Sequence, residues 1–327
     1  MNKSDAYILH NPKNIYYFTG FYGSAGVAVI MEDRKLLFTD GRYDEYARSV
    51  TDFEVVKTNT PYEEIAKLEI KNAFIENSYL TLSRFSELKK ELADCVFSNV
   101  DEYIKLKRAI KSEKELENIK MAANIANVAY KSLEKANKTE KGLALELDFA
   151  MRKLGASDAS FDTIIASGKN ASKPHAVPSS DFIQNNAYTV CDFGAIYNHY
   201  HSDMTRSFVL GEPSDQLKEI YDIVLEAKNL GLKAVKAGVK ASDIDKTCRN
   251  FITLNGYNEN FSHSTGHGVG LDIHEYPTIS NKNDAVLEEN MVITVEPGIY
   301  IPNVGGVRIE DMVQVTKDGY INFSLQE

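Results

Sequence analysis

The sequence predicts a mixed α/β (α+β) chain of two unequal parts. Short strand-like and helix-like runs alternate through residues 1–100. A helix-helix-strand order then occurs twice, and the charged stretch DEYIKLKRAIK at 101–111 stands between the two patterns. This places a domain boundary near residue 104, with a smaller α/β domain at 1–104 and a larger domain at 105–327.

In the first domain the opening DAYILH reads as a strand. Residues 25–31 and 35–39 read as two more, joined by the turn Glu32-Asp33-Arg34. Residues 43–50, 62–68 and 83–92 read as short helices, with strand-like pieces near Phe53, Phe74 and Val96. In the second domain Ser112 and Glu115 have capping-box spacing. The hydroxyl takes a free backbone N–H of the first turn while the carboxylate reaches back. Leu116, Ile119, Ala123, Ala126, Tyr130 and Leu133 follow as the stripe of an amphipathic helix. A second helix at 143–154 stops at Gly155, and strands follow at 163–167, 189–193 and 205–210. The order then repeats. Helices at 214–236 and 242–254 end at Gly238 and Gly256, followed by strands near 291–295, 307–310 and 312–315. Pseudo-twofold packing of the halves would bring their strand ends to one central point.

Composition narrows the function classes. A net charge of -10 without any Lys/Arg-rich run argues against nucleic-acid binding. No apolar run is long enough to span a membrane, and MNKSDAYILH lacks a signal-peptide pattern. Cys95, Cys191 and Cys248 are odd in number and share no metal-ligand spacing, which suits a reducing cytoplasm.

The strand ends carry the chemistry. Asp192 in VCDFGA and Asp203 in HSDMTRSF belong to the first half, Glu296 in TVEPGIY and Glu310 in GVRIED to the second. His267 sits in GHGVG, where Gly266, Gly268 and Gly270 allow a tight backbone. Four ionised carboxylates balance two divalent ions, and hard oxygen ligands with one imidazole suit Mn, Fe(II), Co or Zn. Two such ions sharing a hydroxide would make a nucleophile available at neutral pH. Cys191 is expected to face away from Asp192 across the strand.

These motifs resemble those of the pita-bread metallopeptidases, specifically the aminopeptidase P / prolidase (Xaa-Pro peptidase) branch. The likeness covers about residues 105–327, and all five metal ligands match in order, type and context. It implies that Asp192 chelates one metal, that Asp203 and Glu310 bridge both, and that His267 and Glu296 bind the second. His175 in KPHAVP matches a histidine near the scissile bond. His263 in HSTGHGVG matches one lining the pocket beyond it, and His274 in DIHEYP matches a donor to the developing oxyanion. Arg308 matches an arginine near the site, and Glu296 is the residue expected to handle the proton, ahead of Glu310. NPKNIYYFTGFYGSAG and LLFTDGRYDEYA resemble the creatinase-type N-terminal domain, although the chain reaches its first strand without the additional helix common in that family.

The resemblance implies a two-metal exopeptidase cutting before proline, with Mn first among the metals and Co, Fe or Zn as alternatives. An Xaa-Pro dipeptidase is expected, with aminopeptidase P action on longer peptides as the alternative. A non-catalytic pita-bread binding protein is disfavoured by the intact ligand set. A homodimer with a proline-containing di- or oligopeptide substrate is expected, with no nucleic-acid or membrane partner. His199 and His201 are expected at a hairpin tip, His10 at the surface, Arg206 as an anchor for a carboxylate, and Tyr300 near the site.

Overall fold

The computed structural model describes residues 2–324. The chain divides after Arg108 into two compact units. In the first, β1 (Asp5–Leu9), α1 (Pro12–Thr19), β2 (Val27–Ile30), β3 (Lys35–Thr39) and α2 (Asp44–Val50) lead to β4 (Glu54–Lys57) and α3 (Pro61–Ala66). Strand β5 (Asn72–Ile75), α4 (Leu82–Glu91), β6 (Val96–Asn99) and α5 (Asp101–Ala109) follow, and α5 runs through the expected boundary at 104. The sheet order is β4-β3-β2-β1-β5-β6, with β2 antiparallel to both neighbours and the other pairs parallel. Alternation sorts its side chains onto two covered faces. Ala6, Ile8, Val29 and Phe38 pack with Ile65 of α3 and Leu88 of α4. Leu9, Ala28 and Leu37 pack with Ile15 of α1, Ala47 of α2 and Ile104 of α5.

The second unit opens with α6 (Glu113–Lys131), whose predicted capping box forms in full between Ser112 and Glu115. Then come α7 (Glu140–Lys153), β7 (Asp158–Ala159), β8 (Ile164–Ser167), β9 (Tyr188–Phe193), β10 (Ala195–Tyr197), β11 (Tyr200–His201) and β12 (Met204–Val209). The second half runs α8 (Asp215–Ala234), α9 (Ala241–Leu254), β13 (Gly266–Gly268), β14 (Glu275–Ile279), β15 (Val292–Val295), β16 (Gly298–Ile301), β17 (Gly305–Arg308), β18 (Asp311–Val315) and β19 (Tyr320–Asn322). One sheet is ordered β12-β9-β8, another β14-β13-β15-β18-β19, and β16-β17 forms a ribbon.

Each helix pair backs its own half. Leu143, Leu147 and Met151 of α7, with Ile125 and Ala129 of α6, bury against Ile165, Cys191, Phe193 and Met204. Ile244 and Cys248 of α9, with Leu232 of α8, bury against Ile293, Val295, Val313 and Val315. Alternation along the strands puts Asp192 and Thr205 on the opposite face of the β9-β12 pair from Cys191 and Met204.

Several elements differ from the sequence reading. Helices α1 and α5 and strand β16 were not expected. After Pro297 the chain re-enters an extended ribbon in which β16 pairs with β17. His10 is buried (3% exposed), not at the surface, because it follows β1 and tucks beneath Tyr62, whose hydroxyl lies 3.1 Å from its Nε2. Among the described residues no helix is long and apolar enough to cross a membrane.

Candidate metal centre

Strand geometry assembles the five sequence-marked groups. Along β9, Cys191 and Phe193 point into the helix-backed core, so Asp192 between them points the other way. Asp203 immediately precedes β12, and Thr205 of β12 lies opposite Asp192 in the antiparallel register. In the second half Glu296 follows β15, and its backbone N–H donates to the Thr265 carbonyl at 2.8 Å. Glu310 lies between β17 and β18, and its N–H donates across to the Thr205 carbonyl at 3.1 Å, joining the halves. The glycine beside the imidazole is required by space: a Cβ on Gly266 would meet the Thr294 carbonyl oxygen at 2.1 Å.

His267 Nε2 stands 3.4 Å from both Asp203 Oδ2 and Glu296 Oε1. Ligand atoms of Asp203, His267 and Glu310 all lie within 4.8 Å of one another. His267 Nδ1 is 3.0 Å from the Gly268 carbonyl, which only accepts. Nδ1 therefore carries a hydrogen, and Nε2 is the ring atom that faces the carboxylates. Asp192 Oδ1 and Glu310 Oε1 are buried and lack a hydrogen-bond partner.

Burial raises the affinity of Asp203 for a proton well above the usual carboxylate range, and the charges of Asp192 and Glu296 add to it. Glu310 is raised strongly by burial and by Asp203, Glu296 and Asp192. Glu296 is raised chiefly by burial, against the lowering influence of His267 and Arg308. Beyond the Arg308 guanidinium on Asp192, this gathering of buried carboxylates is short of positive charge, and two of its oxygens, Asp192 Oδ1 and Glu310 Oε1, have no donor. The donor set fits a divalent cation of the Mn, Fe, Co or Zn type.

Around the cluster Arg308 makes directed contacts. Its Nη2 donates to Asp192 Oδ2 at 2.7 Å, and its Nη1 donates to the Tyr300 hydroxyl at 2.8 Å and to the Pro174 carbonyl at 3.1 Å. Tyr300, which had been expected near the site, in turn lies 2.9 Å from His263 Nε2. His263 Nδ1 donates to the Ser264 carbonyl at 2.8 Å, so Nε2 accepts from the tyrosine. Burial, then the Arg308 charge, lowers the His263 pKa to about 4, so this ring is neutral near pH 7. The His274 ring centroid is 4.2 Å from that of His267. Burial and the His267 charge lower its pKa also. His175 is exposed, in the segment that Arg308 holds through Pro174. Arg206 is an anchor, pairing with Asp311 at 2.9 Å, and His201 lies in the β10-β11 hairpin.

Two threonines escaped the sequence reading. Thr205 Oγ1 donates to Glu310 Oε2 at 2.8 Å, and Thr294 Oγ1 donates to Glu296 Oε1 at 3.2 Å. The signal was present: each lies two residues along the chain from a marked carboxylate, Thr205 from Asp203 and Thr294 from Glu296.

A helix-backed sheet in each half, with their strand ends meeting at a buried cluster of carboxylates and imidazole, defines the scaffold of a metal-dependent hydrolase. Residues 117–317 match metallopeptidase family M24, and residues 1–110 match the creatinase/prolidase N-terminal domain. The chain belongs to metallopeptidase family M24, on the pita-bread branch that holds the prolidases and aminopeptidases P. It is 42% identical over 324 residues to an Xaa-Pro dipeptidase of Pyrococcus horikoshii, covering 97% of this chain and 92% of that one. Its fold is similar to an Xaa-Pro dipeptidase from Bacillus anthracis, with a TM-score of 0.95 and 41% identity, covering 99% of this chain and 93% of that one. It is also similar to an X-Pro aminopeptidase from Thermotoga maritima, with a TM-score of 0.93 and 39% identity over 99% of this chain and 96% of that one.

Proposed function

We propose that this protein is an Xaa-Pro dipeptidase that hydrolyses the bond between an N-terminal residue and proline, using two divalent metal ions. The observation that carries the metal dependence is the cluster of Asp203, His267, Glu296 and Glu310, with buried Glu310 Oε1 lacking any partner. Relatives about 40% identical over nearly the whole chain carry the same activity in their names. Asp192, Asp203, His267, Glu296 and Glu310 would hold the ions, with Mn the first choice and Co, Fe or Zn the alternatives. Bound there, the ions supply Lewis acidity toward a carbonyl oxygen and lower the pKa of water.

The chain's own groups take the remaining tasks. His274, kept neutral by burial, donates a hydrogen bond to the carbonyl oxygen as it gains charge. Glu296, with its raised proton affinity, takes and returns the proton. Neutral His263, held by Tyr300, lines the pocket for the residue after the cleaved bond. Exposed His175 contacts substrate near the scissile bond. Arg308 keeps Asp192 in place. The protein works as a cytoplasmic homodimer on proline-containing di- or oligopeptides.

The likeness to the Thermotoga aminopeptidase favours a second reading, in which longer Xaa-Pro peptides are the substrates. A panel of Xaa-Pro and Xaa-Pro-Xaa peptides, assayed with Mn or Co before and after chelation, separates the two. Faster turnover of the dipeptides, lost on chelation and restored by metal, is expected. Preference for the longer peptides selects the second reading, and full activity after chelation removes both.

A further inference from the structure

We propose that Thr205 is a positioning residue of the metal centre: it extends the grip of Arg308 to Glu310, so that one guanidinium orients a carboxylate from each half. This rests on the two-metal reading above. Arg308 Nε donates to Thr205 Oγ1 at 3.1 Å, and a guanidinium has only donors to offer. The single hydrogen of the Thr205 hydroxyl is therefore directed to Glu310 Oε2, 2.8 Å away. The same guanidinium reaches Asp192 directly, Nη2 to Oδ2 at 2.7 Å.

The consequence is symmetrical. One oxygen of each carboxylate is held, and the other, Asp192 Oδ1 or Glu310 Oε1, is left buried without a partner. Thr205 is itself completely buried, and it faces Asp192 in the β9-β12 register. Its carbonyl accepts the Glu310 N–H at 3.1 Å, so one residue holds Glu310 through backbone and side chain alike. Thr294 is the counterpart beside Glu296, but its hydroxyl accepts from the neutral His267 backbone N–H at 3.1 Å. Only the Thr205 link receives its hydrogen bond from a charged donor, the stronger kind. Partners that orient ligand groups typically contribute 10–100-fold to metal affinity.

The test is a substrate-free titration of the full-length protein, with Mn(II) followed by calorimetry and Co(II) by visible absorption. Thr205→Val keeps the side-chain shape and removes the hydroxyl. It is expected to weaken Mn binding roughly 10–100-fold and to alter the Co(II) spectrum. Thr205→Ser, which restores the hydroxyl, is expected to recover most of the affinity and the spectrum. Circular dichroism establishes that each variant is folded; if the valine variant is not, Thr205→Ala is read in its place. A folded Val or Ala variant that binds Mn as tightly as the parent, with the same Co(II) spectrum, overturns the role of Thr205 alone. A parent protein that binds no metal overturns the metal centre and this inference together.

Discussion

Replacing Asp203 by alanine is expected to lower kcat/KM for an Xaa-Pro dipeptide by on the order of 10³-fold in saturating Mn, because the ions contribute several kcal/mol and about 1.4 kcal/mol is a factor of ten. Asp203 belongs to the tightest part of the cluster, with His267 Nε2 at 3.4 Å and Glu310 within the same 4.8 Å group. Misfolding is separable from this loss. The Asp203 carboxyl is buried against the charges of Asp192 and Glu296. Its removal relieves repulsion, so the thermal midpoint of the metal-free variant is expected to match or exceed that of the parent. Retained hydrolysis with unchanged KM would remove Asp203 from the machinery; a collapsed midpoint would assign it a structural task instead.

The second large effect concerns His10 in the first unit. Burial, reinforced by the Arg84 charge, lowers its pKa to about 4, while the Ile8 carbonyl only partly opposes the shift. An unfolded histidine titrates near 6.5, so between the two values the unfolded state binds the extra proton. Stability from this group is therefore fully present above about pH 6.5 and is lost as pH falls toward 4. Between pH 7.5 and 4.5 the loss amounts to about 2–3 kcal/mol. In His10→Leu this part of the decline is expected to vanish. Urea unfolding of both proteins at the two pH values checks it, and parallel declines would show that His10 is protonated without penalty in the fold.

How far the sequence could be read depends on how local the cause is. The capping box at Ser112 and the long stripe of α6 are local patterns, and both are found. Helix α1 was legible by its ends alone: Asn11 accepts from the Lys13 N–H, Pro12 takes the first turn, and Gly20 adopts a left-handed φ of 74°. Its apolar stripe is too short to attract notice. Helix α5 was masked by its charges, although Asp101 and Glu102 begin it and Lys107 and Arg108 end it, as the helix dipole favours. The burial of His10 depends on Tyr62, fifty-two residues away, and no local pattern announces such a contact.

The site divides in the same way. Asp192, Asp203, His267, Glu296 and Glu310 stand in distinctive local contexts at strand ends, so their types and positions could be marked from the chain. The long-range links stayed hidden, because Arg308 to Asp192 and Thr205 to Glu310 join residues more than a hundred positions apart. Alternation from Asp203 would have placed Thr205 beside it, but the partner of its hydroxyl lies in the other half of the unit.

On the proposed reading these five residues hold two divalent ions. The most direct measurement is anomalous diffraction at the manganese edge from crystals grown in Mn(II). Two peaks are expected, both enclosed by Asp192, Asp203, His267, Glu296 and Glu310. A map without a peak among those residues, from protein that hydrolyses Xaa-Pro in the same solution, would contradict the account.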